Sequence, residues 1–236
     1  VVYATAFALF GSSMPSLHLF EGIVLAFGAG ILFLVGRRLQ GATVGLVGAL
    51  LYGTSATLLF EWWDRGQAEV YMGVTGALAV YGLLRAFGIG SANNTTATGR
   101  RAAVAHLLPL GLSGVCAGLT LYLKPTGAGL LAGLALITVV LLRRSGWRSV
   151  LAGVAALGAG VLISIIPLLA YFAAHGALRD LYEAIIVFNS YHARIGGNPT
   201  LAGSVMGTLD FLASMNLLTP LALVGLWASL VGGAER

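Results

Sequence analysis

Between Phe60 and Met72 the chain reads FEWWDRGQAEVYM, which gathers Glu61, Asp64 and Glu69 around Arg65, Gln67 and two adjacent tryptophans. Carboxylates beside a cation in an apolar setting can accept a proton, hold a metal ion or pair with the arginine. Glu69 is the sharpest of them. The apolar run that follows places it in the first turn of a helix, where the positive end of the helix dipole favours an anion. Helix capping is the structural alternative for Glu69, and Trp62 and Trp63 fit an aromatic belt at headgroup depth. These residues point to Glu69 and Asp64 as candidate catalytic carboxylates, with Arg65 and Gln67 as substrate-binding neighbours.

Lys124, in LTLYLKPTGAG, is the only lysine in the protein. It lies between two apolar runs where Pro125 must break a helix. One use for it is to snorkel, with the stem along apolar surface and the ammonium among headgroups. The other is to seat a lipid phosphate, since a compact point charge beside freed backbone amides suits that anion. His18 and Glu21 are three apart, hence on one helix face; this spacing fits two metal ligands or a hydrogen-bonded pair at the interface. Arg194 and His192 stand in a Gly- and Pro-rich stretch, YHARIGGNPT, where an anionic substrate could meet Arg194. His106 and His175 flank apolar runs. The sequence has no HExxH motif, no paired cysteines and no Ser, His and Asp arrangement, so hydrolase and zinc-protease chemistry have no support.

The elements that must carry these groups are membrane helices. Hydrophobic residues make up 58% of the chain and charged residues 9%, with a mean hydropathy of +0.93; soluble proteins carry about 25% charged residues. Apolar runs of about 20 residues predict spans near 17–36, 41–60, 68–87, 103–122, 126–142, 150–173 and 207–232. The expected fold is all-α: a polytopic transmembrane bundle of about seven spans, forming one domain over residues 1–236. Residues 1–10 are too short to span and are expected at the interface. From Leu178 to Phe188 apolar residues recur at three- and four-residue steps, which predicts an amphipathic helix lying along the membrane surface. Gly111, Gly114 and Gly118, Gly127, Gly129 and Gly133, and Gly73 and Gly76 predict close helix packing.

Threading the chain through these spans sorts its charge. Glu21, Glu61, Asp64, Glu69, Asp180, Glu183 and Asp210 fall on one side, and Arg37, Arg38, Arg85, Arg100, Arg101, Arg143, Arg144, Arg148 and Arg236 on the other. Short arginine-rich loops stay in the cytoplasm, so the acidic face is expected outside. The net charge of +5 is accounted for by these loop arginines and not by a nucleic-acid partner, for which no basic stripe with interleaved aromatics exists. Cys116, the single cysteine, cannot form an internal disulfide.

The stretches FALFGSSMPSLHLFEG, VGRRLQGATVGLVGALLYG, GQAEVYM and GLTLYLKPTG, in this order and with this sidedness, resemble the C-type superfamily of membrane glycosyltransferases, in particular the branch of protein mannosyltransferases, aminoarabinose transferases and RgtA/B/C/D-like enzymes. GALRDLYEAIIVFNSY is a looser echo. The resemblance implies inverting transfer of a sugar from a polyprenyl-phosphate donor to a glycan, lipid or protein acceptor, at the outer face of the cell membrane. It carries an accessory acidic position onto Glu69 and a phosphate-facing lysine onto Lys124. The family's aspartate base, just after its first helix, would then precede Val1, and the chain is expected to be an inactive fragment by itself. A cofactor is not specified, although a divalent metal ion would serve the departing phosphate. A transporter or lipid flippase of envelope glycan assembly is the alternative; a non-catalytic subunit or ligase is a third.

Overall fold

The computed structural model describes residues 2–58, 68–90, 100–188, 190–191, 200, 203, 205–206 and 209, and among these every regular element is helical. They belong to two compact units, Val1–Gly176 and Ala177–Arg236.

The first unit holds α1 (Val2–Phe10), α2 (Met14–Gln40), α3 (Ala42–Leu58), α4 (Ala68–Ala86), α5 (Arg100–Leu123), α6 (Ala128–Leu142) and α7 (Trp147–Ala174). Four stretches are long and apolar enough to cross a membrane: Met14–Gln40, His106–Leu123, Pro125–Ser145 and Trp147–Ala174. The protein is a membrane protein on that count. The runs expected at 41–60 and 68–87 form the shorter apolar helices Ala42–Thr54 and Val70–Ala86. The run expected at 207–232 lies outside the described residues except for position 209. The opening segment is helical over 9 residues, too few for roughly 30 Å of hydrocarbon.

Local chemistry sets the helix ends. Ser13 caps α2 by accepting from the Ser16 amide at 3.3 Å, with Pro15 in the first turn where a missing N–H is harmless. At the other end of α4, Gly88 takes φ +64°, so that the Ile89 amide reaches Leu84 O at 3.0 Å and the Gly88 amide reaches Arg85 O at 3.3 Å. That is the glycine-dependent closure of a helix C-terminus. Arg38 then donates from Nη1 to Ile89 O at 3.0 Å, with its guanidinium 5.6 Å from the Tyr81 ring centroid. His106 Nδ1 meets Ala86 O, and its ring stacks on Phe87 at 6.2 Å. The histidine expected merely to flank a span therefore helps to fasten α4 to α5.

α5 is the central helix, packed chiefly on α7 and α4, while α2 packs on α3 and α4. The core gathers Ala79, Leu83, Leu110, Ala117, Leu134 and Leu157 from four helices. Much of the remaining apolar surface points outward, including Ile23, Phe27, Leu136, Leu162, Ile163 and Ile166. Lipid tails cover such side chains without penalty, so the exposed face needs no polar residues.

The expected glycine packing holds in part. A Cβ at Gly114 would lie 2.9 Å from the Leu157 carbonyl carbon, and one at Gly118 would lie 3.0 Å from Val161 Cα. One at Gly160 would lie 2.7 Å from the Val115 amide. α5 and α7 thus touch backbone to backbone. Gly129 and Gly133 on α6 face open space instead.

In the second unit, Leu178–Tyr182 form α8, which widens into a π-helical segment over Glu183–Val187. Arg179 Nε donates to Glu183 Oε1 at 2.8 Å, while Leu178, Tyr182, Ile186 and Phe188 are exposed. The helix expected from the sequence is present.

Candidate functional site

Two hydroxyl contacts align α4 and α5. Ser113 Oγ donates to Ala79 O at 2.6 Å, and the hydroxyls of Thr75 and Thr120 lie 2.7 Å apart. Thr75 also lies 3.0 Å from Tyr71 O, and Thr120 3.0 Å from Cys116 O. Each hydroxyl has one proton, so one serves the cross-helix bond and the other bonds back to its own helix. Because the chain directions oppose, the start of α4 and the finish of α5 share one end of the bundle.

That end holds Lys124. Four residues beyond Thr120, its amide donates to Thr120 O at 3.2 Å and its carbonyl accepts from the Gly127 amide at 2.9 Å. Lys124 is extended, with φ −157° and ψ 134°, at the head of the short turn Pro125–Gly127, and it is exposed. Gly127 keeps the turn against α5, since a Cβ there would lie 2.9 Å from the Leu121 amide. The proline break expected from KPTG is therefore the device that fixes where the only lysine emerges.

Glu69 occupies the first turn of α4. It stands six residues ahead of Thr75, about 9 Å along the axis, and Lys124 stands about 6 Å beyond Thr120 in the same direction. The structure thereby brings the backbone positions of Glu69 and Lys124 to one end. Asp64, Arg65, Gln67 and Arg194 lie outside the described residues.

Sequence reasoning underrated a second group at this end. Glu21 is buried in α2, with 7% exposure, and Tyr71 of α4 is buried to the same degree. The Phe20 and Tyr71 rings meet at 6.3 Å and an interplanar angle of 35°. The Tyr71 hydroxyl itself is buried and has no hydrogen-bond partner among the described residues. His18 Nδ1 approaches Glu21 Oε2 only to 3.9 Å, so the expected pair does not close into a hydrogen bond with each other. Behind this group, Ser16 Oγ donates to Phe10 O at 2.7 Å and joins α2 to α1. The available signal was an ionisable residue inside an apolar run together with a tyrosine two residues past Glu69.

No group of three or more His, Cys, Asp or Glu side chains suited to a metal ion occurs among the described residues. His18 and Glu21 supply two donors of different kinds, short of the usual three or four protein ligands. No protein-family model, curated protein or solved structure matches this chain.

Proposed function

We propose that the chain serves a membrane glycosyltransferase that moves a sugar, with inversion, from a polyprenyl-phosphate donor to a glycan, lipid or protein acceptor at the extracytoplasmic face. The observation that carries the reading is the shared position of Lys124, exposed at the finish of α5, and Glu69, in the first turn of α4, at one end of the bundle. The sorting of acidic and basic residues supports the sidedness, and the resemblance of GQAEVYM and GLTLYLKPTG supports the chemistry.

In this reading the bond between the anomeric carbon and the phosphate oxygen breaks, and the phosphate leaves with the electron pair. The Lys124 ammonium stabilises that charge, with Arg65 as a further cation for the carrier. The acceptor oxygen attacks from the opposite face and loses its proton to a carboxylate. Glu69 and Asp64 are assigned to orienting the acceptor or holding a divalent ion, with Gln67 as a substrate-binding neighbour in the sequence.

The test is transfer from a labelled polyprenyl-phosphate sugar by the native protein in proteoliposomes. Lys124→Ala is expected to weaken carrier binding by at least about tenfold, the value of one charge-assisted hydrogen bond. Glu69→Gln is expected to slow transfer by a factor of about 100 or more. If both variants keep wild-type affinity and rate, the assignment is wrong. The burial of Glu21 inside a spanning helix favours a second reading, a lipid flippase or transporter, because intramembrane carboxylates often mark transport pathways. Movement of labelled carrier across the bilayer without transfer would select it.

A further inference from the structure

The turn between α6 and α7 carries three arginines that the phosphate chemistry above does not use. The stretches Pro125–Ser145 and Trp147–Ala174 are each long and apolar enough to cross a membrane, and Gly146 alone joins them. Its φ of +93° is one that glycine adopts freely. Just below the turn α7 lies tight on α6, since a Cβ at Gly153 would come 2.5 Å from Leu142 Cδ1 and 3.1 Å from Thr138 Cγ2. So short a connection keeps the backbone of Arg143, Arg144 and Arg148 at headgroup depth, with no loop to carry it into water.

Their charge is unmet within the helices described. All three arginines are exposed, and none has an ion-pair partner among the described residues. The turn lies at the basic end of the bundle, because Gly153 meets Leu110 of α5 and His106 of α5 meets the last turn of α4. Arg37, Arg38 and Arg85 stand at that end too, while Glu21 and Glu69, the described carboxylates of this unit, stand near the starts of α2 and α4.

The surroundings select a lipid over a free anion. The Arg148 guanidinium lies 5.9 Å from the centroid of the Trp147 ring, and Trp147 is 67% exposed; tryptophan is enriched at headgroup depth. Farther into the two spans Val140, Leu141 and Leu151 are exposed as well, an apolar surface for acyl chains. A guanidinium presents paired donors that match a phosphate, and arginine clusters flanking membrane helices hold anionic headgroups. A free phosphate would use the donors and leave the apolar surface bare.

We propose that the α6–α7 turn binds an anionic phospholipid, its phosphate among Arg143, Arg144 and Arg148 and its acyl chains along the exposed apolar side chains next to them. The site does not depend on the transferase reading and stands or falls separately.

The experiment uses the full chain with Trp62→Phe, Trp63→Phe and Trp227→Phe, so that Trp147 alone of the four tryptophans reports. In vesicles, quenching of its fluorescence by phosphatidylglycerol brominated high on the acyl chains is compared with quenching by phosphatidylcholine brominated at the same carbons. One arginine near an anionic headgroup is worth about fivefold in affinity, so three should favour phosphatidylglycerol beside Trp147 by about tenfold or more. The preference should disappear in Arg143→Gln/Arg144→Gln/Arg148→Gln. It should persist in Arg37→Gln/Arg85→Gln, which removes two exposed charges elsewhere at the same end. Equal quenching by the two lipids overturns the site, as does a preference that the triple variant keeps or that the double variant loses to the same extent. Loss of the preference on adding inorganic phosphate at constant ionic strength would assign the arginines to a free anion and also overturn it. Should the triple variant fail to insert, Arg144→Gln alone decides: a drop of about fivefold supports the site, and an unchanged preference overturns it.

Discussion

The α5–α7 and α2–α4 contacts both depend on glycine, but glycine does different work in each. At Gly114, Gly118 and Gly160 its missing side chain brings backbone onto backbone. At Gly28 and Gly73 it makes room for a tyrosine: a Cβ at Gly28 would lie 3.1 Å from the Tyr52 hydroxyl, and one at Gly73 would lie 3.3 Å from it. A backbone atom cannot step aside, whereas the end of a side chain can. The first seam is therefore fixed. The second can repack, and it is the one that holds Glu21 and Tyr71.

The largest test of this contrast is Gly114→Val. Its side chain would have to displace the Leu157 backbone, and a loss of about 3 kcal/mol or more is expected, read as collapse of the monodisperse fraction after detergent extraction. A near-normal yield would show that α7 can move away from α5. At the second seam Gly28→Ala meets Val74 Cγ2 at 2.8 Å as well as the Tyr52 ring. Side-chain shifts should limit the loss to about 1 kcal/mol, checked by thermal unfolding in bicelles; a loss as large as that of Gly114→Val would erase the distinction. The smallest change belongs to α6. Gly133→Ala enters open space and should raise stability by about 0.5 kcal/mol through helix propensity alone, and a lower melting point would reveal a hidden contact there.

The same contrast explains what the sequence could show. Interruptions were legible because they break local rules: Ser13 with Pro15, Lys124 with Pro125, and the arginines at 37, 38, 143 and 144 all mark ends that the structure retains. The glycines of α5 were legible as packing residues. Gly129 and Gly133 were not distinguishable from them, because a helix apolar on every side carries no periodic sign of which face is covered. For that reason the burial of Glu21 was obscure, although Glu21 itself stood out as a charge inside an apolar run. The position of Lys124 was foreseen from its proline; its alignment with the start of α4 needed the Thr75 and Thr120 pair, a contact 45 residues apart in sequence.

Arg38 and His106 fasten the last turn of α4 through Ile89 and Ala86. The Thr75 and Thr120 bond pins the same helix a second time, nearer its start. From Thr75 to Glu69 about 9 Å of helix remains, so a tilt of about 5° about that second pin would move the first turn by less than about 1 Å. The two pins together therefore hold the backbone of Glu69 in register with Lys124 to within a fraction of a hydrogen bond's length.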